Sequence, residues 1–161
     1  MQEIDLNRII KQSFHIKNGF GYKIPDPPKA VIRVSNKRPF DGFGIYKDCW
    51  FWESKLIKSE YSSFNFSIIK EHQLKNLTLI SNLDLPNVYP VITLGYYIPN
   101  KLFRIFTFHI SCINQAIDSG EKSFKKKQIK NLVEKNLYVD IKNQFLDIDI
   151  LKEKIIYEVS C

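Results

Sequence analysis

The sequence predicts one domain of mixed α/β class, in which helices flank a sheet. The predicted elements follow the order helix, three or four strands, helix, two strands and further helices, which is typical of a mixed α/β fold. The 161 residues are 44% hydrophobic and 25% charged, which is enough apolar material for one core. No internal repeat or linker is visible, so we treat residues 1–161 as a single domain, with a core over about 5–110 and a mostly helical extension over 111–161.

The first element is a helix predicted over residues 6–16. Its apolar side chains recur at near-helical spacing, Asp5 suits the N-cap position, and Gly19 ends the helix. A short strand is predicted over 19–24. The prolines within residues 25–28 cannot continue a ladder of hydrogen bonds and therefore predict a turn or an extended loop.

Three strands are predicted next, over residues 30–34, 40–46 and 49–56. The last two are rich in aromatic and β-branched residues, and only Lys47 and Asp48 separate them. Strands this close together form a hairpin.

A second long helix is predicted over residues 67–81, with Ser67 as its N-cap. The apolar run over 88–97 predicts a central strand covered on both faces, and residues 102–109 return as its antiparallel partner. The helices predicted in the remaining chain cover residues 112–117 and 124–135.

The predicted hairpin carries the charged residues on which a functional interpretation depends. Side chains alternate between the two faces of a strand, so Glu53 and Lys55 point the same way. If the turn is centred on Lys47, Asp41 lies opposite Glu53 on the same face, with Cβ atoms about 4.5–5.5 Å apart. A turn shifted by one residue would instead pair Asp41 with Ser54.

Two directly opposed carboxylates repel each other unless a divalent cation lies between them. An all-oxygen site with few protein ligands suits Mg²⁺, which retains water and recruits phosphate oxygens of a substrate; Mn²⁺ is the alternative ion. Lys55 follows Glu53 by two residues and is placed to orient or deprotonate a water molecule, or to neutralise developing charge. Such a site supports in-line hydrolysis of a phosphodiester.

The spacing of these charges resembles a known motif. Asp41, eleven intervening residues and then Glu53-x-Lys55 resemble the core motif of the PD-(D/E)xK nuclease superfamily. Residues 66–77, which include a His-Gln pair, and the apolar strand over 89–97 resemble the helix and strand that follow this motif in RecU-type Holliday-junction resolvases, enzymes of DNA recombination and repair.

This resemblance covers about residues 19–109. It implies a restriction-endonuclease-like mixed sheet with an α-β-β-β-α-β core, dependence on Mg²⁺ and cleavage of the DNA backbone. It also implies that Asp41 and Glu53 are metal ligands, with the Ser54 carbonyl as a third. The lysine of the motif would be catalytic, and Gln73 matches a helix position that supports the site.

The chain matches these enzymes only partly in its first helix and in its length. Many members carry an acidic residue on the first helix, and Glu3 is the nearest candidate here, although it precedes the predicted N-cap. The chain is shorter than most RecU-type enzymes and has no clear equivalent of their stalk insertion.

The charge balance fits an anionic partner. The chain has 24 Lys+Arg against 17 Asp+Glu, a formal charge of +7, and its basic residues concentrate over 29–38, 55–58 and 122–130. Such clusters neutralise DNA phosphates and give salt-sensitive affinity; the alternative is an ordinary solvated surface. The residues that we predict to contact DNA are Arg33, Lys37, Arg38, Lys58, Lys125, Lys126 and Lys127.

Other prominent side chains receive structural interpretations. We expect Tyr22, Trp50 and Trp52 to belong to the core or to a sheet face, and not to stack on bases. His72 is predicted to be a partly buried helix histidine. The glycines at 42 and 44 lie inside a strand, where they permit close approach of DNA or of a packed helix.

Several classes of protein are excluded. No run approaches the roughly 18 apolar residues of a membrane helix, and the polar start of the chain is not a secretory signal. Cys49, Cys112 and Cys161 are an odd number without metal-ligand spacing, which argues against a disulfide framework and a zinc site. We therefore expect a cytoplasmic protein with reduced thiols.

Three functions are compatible with these observations. The first is a Mg²⁺-dependent endonuclease that resolves Holliday junctions or other branched DNA, and it would act as a homodimer because resolution needs two symmetric incisions. The second is a restriction-type or phage nuclease acting on linear duplex DNA. The third is a non-catalytic DNA-binding module on the same fold.

Overall fold

A mixed sheet flanked by helices forms the centre of the computed structural model, which describes residues 1–25, 37–141 and 145–159. The predicted α/β class is thereby confirmed. The helices are α1 (Glu3–Ile16), α2 (Glu71–Ser81), α3 (Ile110–Asp118), α4 (Lys126–Glu134) and α5 (Ile148–Glu153). The strands are β1 (Phe20–Lys23), β2 (Gly42–Tyr46), β3 (Asp48–Ile57), β4 (Phe64–Asn65), β5 (Val88–Ile98), β6 (Leu102–His109), β7 (Ser123–Phe124), β8 (Val139–Asp140) and β9 (Ile155–Ile156).

The main sheet has the strand order β1-β2-β3-β5-β6-β8, and β9 also pairs with β6. Most neighbouring strands are antiparallel. The exceptions among the described residues are β6 with β9, and β3 with β5, which run parallel because the chain crosses over through α2 between them. The predicted central strand and its antiparallel partner are confirmed as β5 and β6. Strands β4 and β7 form a separate two-stranded sheet.

Two apolar clusters hold the layers together. On one face of the sheet, α1 and α5 cover the side chains of Trp50, Trp52 and Ile105. On the other face, α2, α3 and α4 pack on Ile92 and Phe108 together with the other inward side chains of β5 and β6. The middle of β3 and most of β5 are therefore buried on both sides, which gives Glu53 in the middle of β3 a rigid support.

The hairpin of β2 and β3 has the first of the two registers considered above. Phe43 faces Phe51, and Tyr46 faces Asp48, so the turn is centred on Lys47. Lys47 has a φ of 56°, the left-handed conformation that closes this tight connection. Asp41, directly before β2, therefore lies on the same side of the sheet as Glu53.

Close packing of α1 on the hairpin explains one of its glycines. A Cβ at residue 44 would lie 2.6 Å from the Phe14 ring, so only glycine lets the helix sit this close to β2. Of the two neighbours considered for Gly44, DNA or a packed helix, the structure has the packed helix α1.

The start of α1 differs from the prediction. The helix begins at Glu3, after an N-cap at Gln2, and Asp5 is its third residue. The Asp5 carboxylate accepts a hydrogen bond from the Gln2 backbone N–H at 2.8 Å, the reciprocal half of a capping box. Asp5 is therefore not the N-cap, and the helix gains one further turn that carries Glu3.

Two other helix starts are corrected. Residues 66–68 form a 3₁₀ turn and α2 begins only at Glu71, after an N-cap at Lys70, so Ser67 is not its N-cap. Phe124 lies in β7 and pairs with Phe64, whereas it was predicted to start a helix. In both places a contact with a distant segment competes with local helix propensity.

The last 50 residues add strands as well as helices to the domain. Besides α3, α4 and α5, this region supplies β8 and β9 to the main sheet. The strand predicted over 30–34 lies outside the described residues. Within the described ranges, no helix is both long and apolar enough to cross a membrane.

Candidate active site

Three carboxylates from three different elements converge at one corner of the sheet. Glu3 comes from the first turn of α1, Asp41 from the residue before β2, and Glu53 from the middle of β3. One oxygen from each lies within 4.8 Å of the other two. Asp41 and Glu53 are fully buried, while the side chain of Glu3 is 42% exposed and opens the cluster to solvent.

Asp41 is held rigidly through one of its two oxygens. Its Oδ2 accepts hydrogen bonds from Asn7 Nδ2 at 2.9 Å, from the Ser54 backbone N–H at 2.9 Å and from Ser54 Oγ at 2.7 Å. The other oxygen, Oδ1, is buried without an aligned hydrogen bond and forms an ion pair with the Arg38 guanidinium. Three donors on one oxygen fix the direction in which the second oxygen points.

Asn7 links this carboxylate to the core. Its side chain is buried, and its Oδ1 accepts a hydrogen bond from Trp52 Nε1 at 2.9 Å. Because Oδ1 is thus engaged, the amide Nδ2 must face Asp41. The indole of Trp52 in turn stacks on Phe14, which lies on α1 as Asn7 does, with ring centroids 5.6 Å apart.

Glu53 pairs with the lysine of its own strand. Lys55 Nζ donates to Glu53 Oε1 at 2.6 Å, whereas Oε2 is buried and has no hydrogen-bond partner among the described residues. Burial, together with the nearby Asp41 charge, raises the pKa of Glu53 to about 7, although the Lys55 ammonium acts in the opposite direction. Burial is also the main cause of the raised pKa of Glu3.

Lys55 lies between two of the three acidic groups. Its side chain is 9% exposed, and Nζ is 3.8 Å from Glu3 Oε1 in addition to its bond with Glu53. The alternation of β3 places both charged groups on one side of the strand, as the sequence predicted. The ammonium is therefore confined at the edge of the carboxylate cluster.

The donor set fits a hard divalent cation. Buried carboxylate oxygens normally have hydrogen-bond partners, but Glu53 Oε2 has none among the described residues, and Asp41 Oδ1 has only its ion pair with Arg38. Oxygen-only ligands with an open side towards solvent suit Mg²⁺ or Mn²⁺, which keep several waters. The candidate ligand group formed by Asp41 and Glu53 thus gains a third carboxylate, Glu3.

A groove of about 670 Å³ lies beside the carboxylates. It reaches the site through Arg38, whose guanidinium contacts Asp41. His72 is a partly buried histidine, as predicted, and burial and the neighbouring Lys37 lower its pKa, which disfavours its protonated form. The residues that line the groove are Lys37, Arg38, Lys70, Glu71, His72, Gln73 and Lys75.

Gln73 lies in the first turn of α2 and faces this groove. Its side chain is 2% exposed, and its Oε1 accepts a hydrogen bond from the Lys70 backbone N–H at 3.1 Å. This bond caps the helix and fixes the amide at the wall of the groove. A supporting role for Gln73 in the site stays a prediction.

The basic residues predicted to contact DNA fall into separate regions. Lys37 and Arg38 line the groove. Lys58 is exposed beyond the end of β3 and borders a different crevice, and Arg33 lies outside the described residues. Lys125, Lys126 and Lys127 are exposed around the start of α4 and do not line the groove beside the carboxylates.

The positions of Glu3 and Asn7 in the site could have been predicted from their spacing in the sequence. Glu3 and Asn7 are four residues apart and therefore share one face of α1. Starting the helix at residue 6 left Glu3 outside it and gave Asn7 no role. A helix beginning at Glu3, with Asp5 completing a capping box, would have placed both beside Asp41.

No model of a known protein family matches the chain, and comparison with curated proteins yields no match either.

Proposed function

We propose that the protein is a Mg²⁺-dependent endonuclease that hydrolyses DNA phosphodiesters and acts on branched DNA such as Holliday junctions. The observation that carries this proposal is the convergence of three carboxylates and one buried ammonium, together with Arg38, which contacts Asp41 and also lines a basic groove. Buried charges are costly unless they are paired or coordinate a metal, and buried carboxylates with a raised pKa, such as Glu53, occur often at functional sites.

The strand arrangement supports membership of the PD-(D/E)xK superfamily and a restriction-endonuclease-like core. The hairpin of β2 and β3 carries both acids of the motif, and α2 connects β3 to its parallel neighbour β5. Helix α1 brings a further carboxylate, Glu3, to Asp41 and Glu53, and Glu3 was the nearest candidate for the acidic residue that many members carry on their first helix.

In this proposal the metal ligands are Asp41, Glu53 and Glu3. Asp41 would bind through Oδ1, since Oδ2 is already engaged by three donors, and Glu53 through Oε2. Mg²⁺ held by these residues would supply a Lewis acid for the phosphodiester and for the attacking water. The Ser54 carbonyl stays a candidate further ligand, while the Ser54 amide and hydroxyl keep Asp41 in place.

Lys55 is proposed as the residue that handles the attacking water. Its ammonium donates to Glu53 and has further N–H groups that can orient the water or neutralise charge on the phosphoryl oxygens. The water would lose a proton to solvent as its oxygen bonds to phosphorus, and the leaving oxygen would take up a proton from solvent as its bond to phosphorus breaks. The buried position of Lys55 keeps its charge close to the reacting atoms and away from bulk solvent.

The basic groove is proposed to hold the DNA backbone. Lys37, Lys70 and Lys75 can neutralise phosphates on either side of the scissile bond, and this contribution to binding weakens with salt. Two symmetric cuts in a junction require two active sites, so we propose a homodimer.

Cleavage assays with and without metal test this function directly. We expect the purified full chain to nick a four-way junction in Mg²⁺ or Mn²⁺ but not in EDTA, and to cut linear duplex of the same sequence more slowly. Equal cutting of both substrates would favour a restriction-type or phage nuclease. Salt-sensitive binding without cleavage at any metal concentration would contradict the enzyme and favour a DNA-binding module.

Replacing Asn7 tests the support of Asp41. We expect Asn7→Ala to reduce the rate of Mg²⁺-dependent cleavage about 10–100-fold, because Asp41 loses one of the donors that orient it. The measurement is the single-turnover rate on the junction at saturating Mg²⁺.

Ser13→Ala is the matched control for this variant. Ser13 is also buried on α1 and also joins distant segments, since its hydroxyl accepts a hydrogen bond from the Leu146 N–H, but it does not contact the carboxylates. An equal loss of rate in both variants would mean that the effect of Asn7→Ala is one of stability alone.

A further inference from the structure

Arg38 contacts the carboxylate oxygen that a metal ion needs. Its guanidinium forms an ion pair with Asp41 Oδ1, and the side chain is 14% exposed. Since three donors engage Oδ2, Oδ1 is the oxygen of Asp41 left to bind a cation. Arg38 therefore sits on the side of Asp41 from which a metal ion would be bound.

The guanidinium and a divalent cation compete for this position. Both are positively charged and both bind Asp41 Oδ1. Because the site is buried, the repulsion between the guanidinium and the cation is poorly screened. In the arrangement described here, a metal ion binds Asp41 fully only after Arg38 has moved away. The substrate-free protein should accordingly bind metal weakly.

The groove offers the guanidinium a second partner. Arg38 lines it next to Lys37, so a DNA phosphate bound there would lie beside the same side chain. Guanidinium groups bind phosphate oxygens in bidentate fashion. An exchange of Asp41 for phosphate keeps the Arg38 charge paired throughout.

We propose that Arg38 couples substrate and metal binding: it occupies Asp41 in the free protein and transfers to a DNA phosphate in the groove, so that metal and phosphodiester bind cooperatively. This inference rests on the proposed nuclease function. Arg38 would then do more than add positive charge to the groove, because its move to the phosphate frees one specific oxygen, Asp41 Oδ1, for the metal ion.

Binding of Mn²⁺ alone, measured by calorimetry without DNA, is the first test. We expect Arg38→Gln to bind Mn²⁺ about 5–10-fold more tightly than the wild type. Lys37→Gln is the matched control, because it removes the same charge from the adjacent residue of the groove; we expect it to change the affinity less than twofold. Arg38→Lys keeps the charge without the bidentate fork, and we expect an intermediate affinity.

Coupling to DNA is the second test. Mn²⁺ titrations with and without a short duplex are made in the Lys55→Ala background, which the proposed function expects not to cut. We expect DNA to tighten Mn²⁺ binding at least about 5-fold with Arg38 present and less than 2-fold with Arg38→Gln. By linkage, Mn²⁺ should tighten DNA binding by the same factor.

The outcomes separate the two proposals. Equal Mn²⁺ affinity in wild type, Arg38→Gln and Arg38→Lys, or undiminished coupling in Arg38→Gln, would overturn the role of Arg38 while leaving the nuclease intact. Failure of both wild type and Arg38→Gln to bind Mn²⁺ at millimolar concentrations would overturn the metal site and this inference together.

Discussion

Glu53→Gln is expected to slow Mg²⁺-dependent cleavage of DNA at least about 1,000-fold, a loss of about 4 kcal/mol of transition-state stabilisation. Gln keeps the size of the side chain and retains an oxygen that can accept from Lys55, so the fold and that contact are preserved. What it removes is the negative charge that would hold the metal beside Asp41. Binding of DNA in EDTA should stay within about threefold of the wild type, because the groove is untouched.

Glu60→Gln provides the comparison for this variant. Glu60 belongs to an exposed ion pair with Lys101, far less buried than the pair of Glu53 with Lys55, so the same chemical change should leave the cleavage rate nearly unaffected. Single-turnover rates on the junction, together with electrophoretic binding assays, give both quantities. A Glu53→Gln protein that cuts at the wild-type rate would contradict the proposed site.

The hairpin shows what the sequence alone can specify. Aromatic and β-branched residues on both sides of Lys47 predict two strands, and side-chain alternation then places Glu53 and Lys55 on one face. Only the register was ambiguous, because a shift of one residue would have paired Asp41 with Ser54. The structure has the register that faces the acids towards each other, while Ser54 still contacts Asp41 through its backbone N–H and its hydroxyl.

The ends of the helices were harder to predict, and the site depends on one of them. Asp5 is an equally good N-cap or third residue of a capping box, and the choice decides whether Glu3 lies on α1. The capping box extends α1 towards the site, and Glu3 then reaches Asp41 and Glu53. The spacing of Glu3 and Asn7 on one helix face favours the longer helix, but the N-cap preference of Asp5 alone does not make the choice.

Contacts between distant segments account for the other differences. Phe124 pairs with Phe64, a residue far from it in the sequence. This interaction leaves no periodic signal in the sequence, since it joins segments whose relative position is set by packing. The basic residues of the groove likewise come from two separate stretches of chain, around Lys37 and around Lys70.

A further expected result is that Glu53 makes the metal-free protein less stable as the pH rises. The pKa of Glu53 is raised from 4.5 to about 7 by burial and by Asp41, so the folded protein retains a proton that the unfolded chain loses. The contribution of Glu53 to stability is therefore fully present below about pH 4.5 and is lost as the pH rises through 7. The shift corresponds to a loss of at most about 3 kcal/mol.

Comparison with Glu53→Gln isolates this contribution from other titrating groups. The lowered pKa of His72, for example, acts with the opposite sign, because the folded state disfavours its protonated form. Subtracting the unfolding free energies of the two proteins at each pH removes such common effects. We expect the difference in EDTA to move in favour of the variant between pH 4.5 and pH 8, as measured by chemical denaturation.

Metal binding should reverse this loss of stability in the wild type alone. A cation that binds ionised Glu53 competes with its proton, so Mg²⁺ affinity should rise between pH 5.5 and pH 8, with release of a proton on binding.

Mg²⁺ at 100 times its dissociation constant stabilises the folded state by about 2.7 kcal/mol. For a chain of this length, that corresponds to a rise in Tm of about 5–10 °C at pH 8. At pH 5.5 the rise should be much smaller, and Glu53→Gln should show little at either pH. An equal rise for wild type and variant at pH 8 would mean that the ion binds away from Glu53, and it would contradict the proposed metal site.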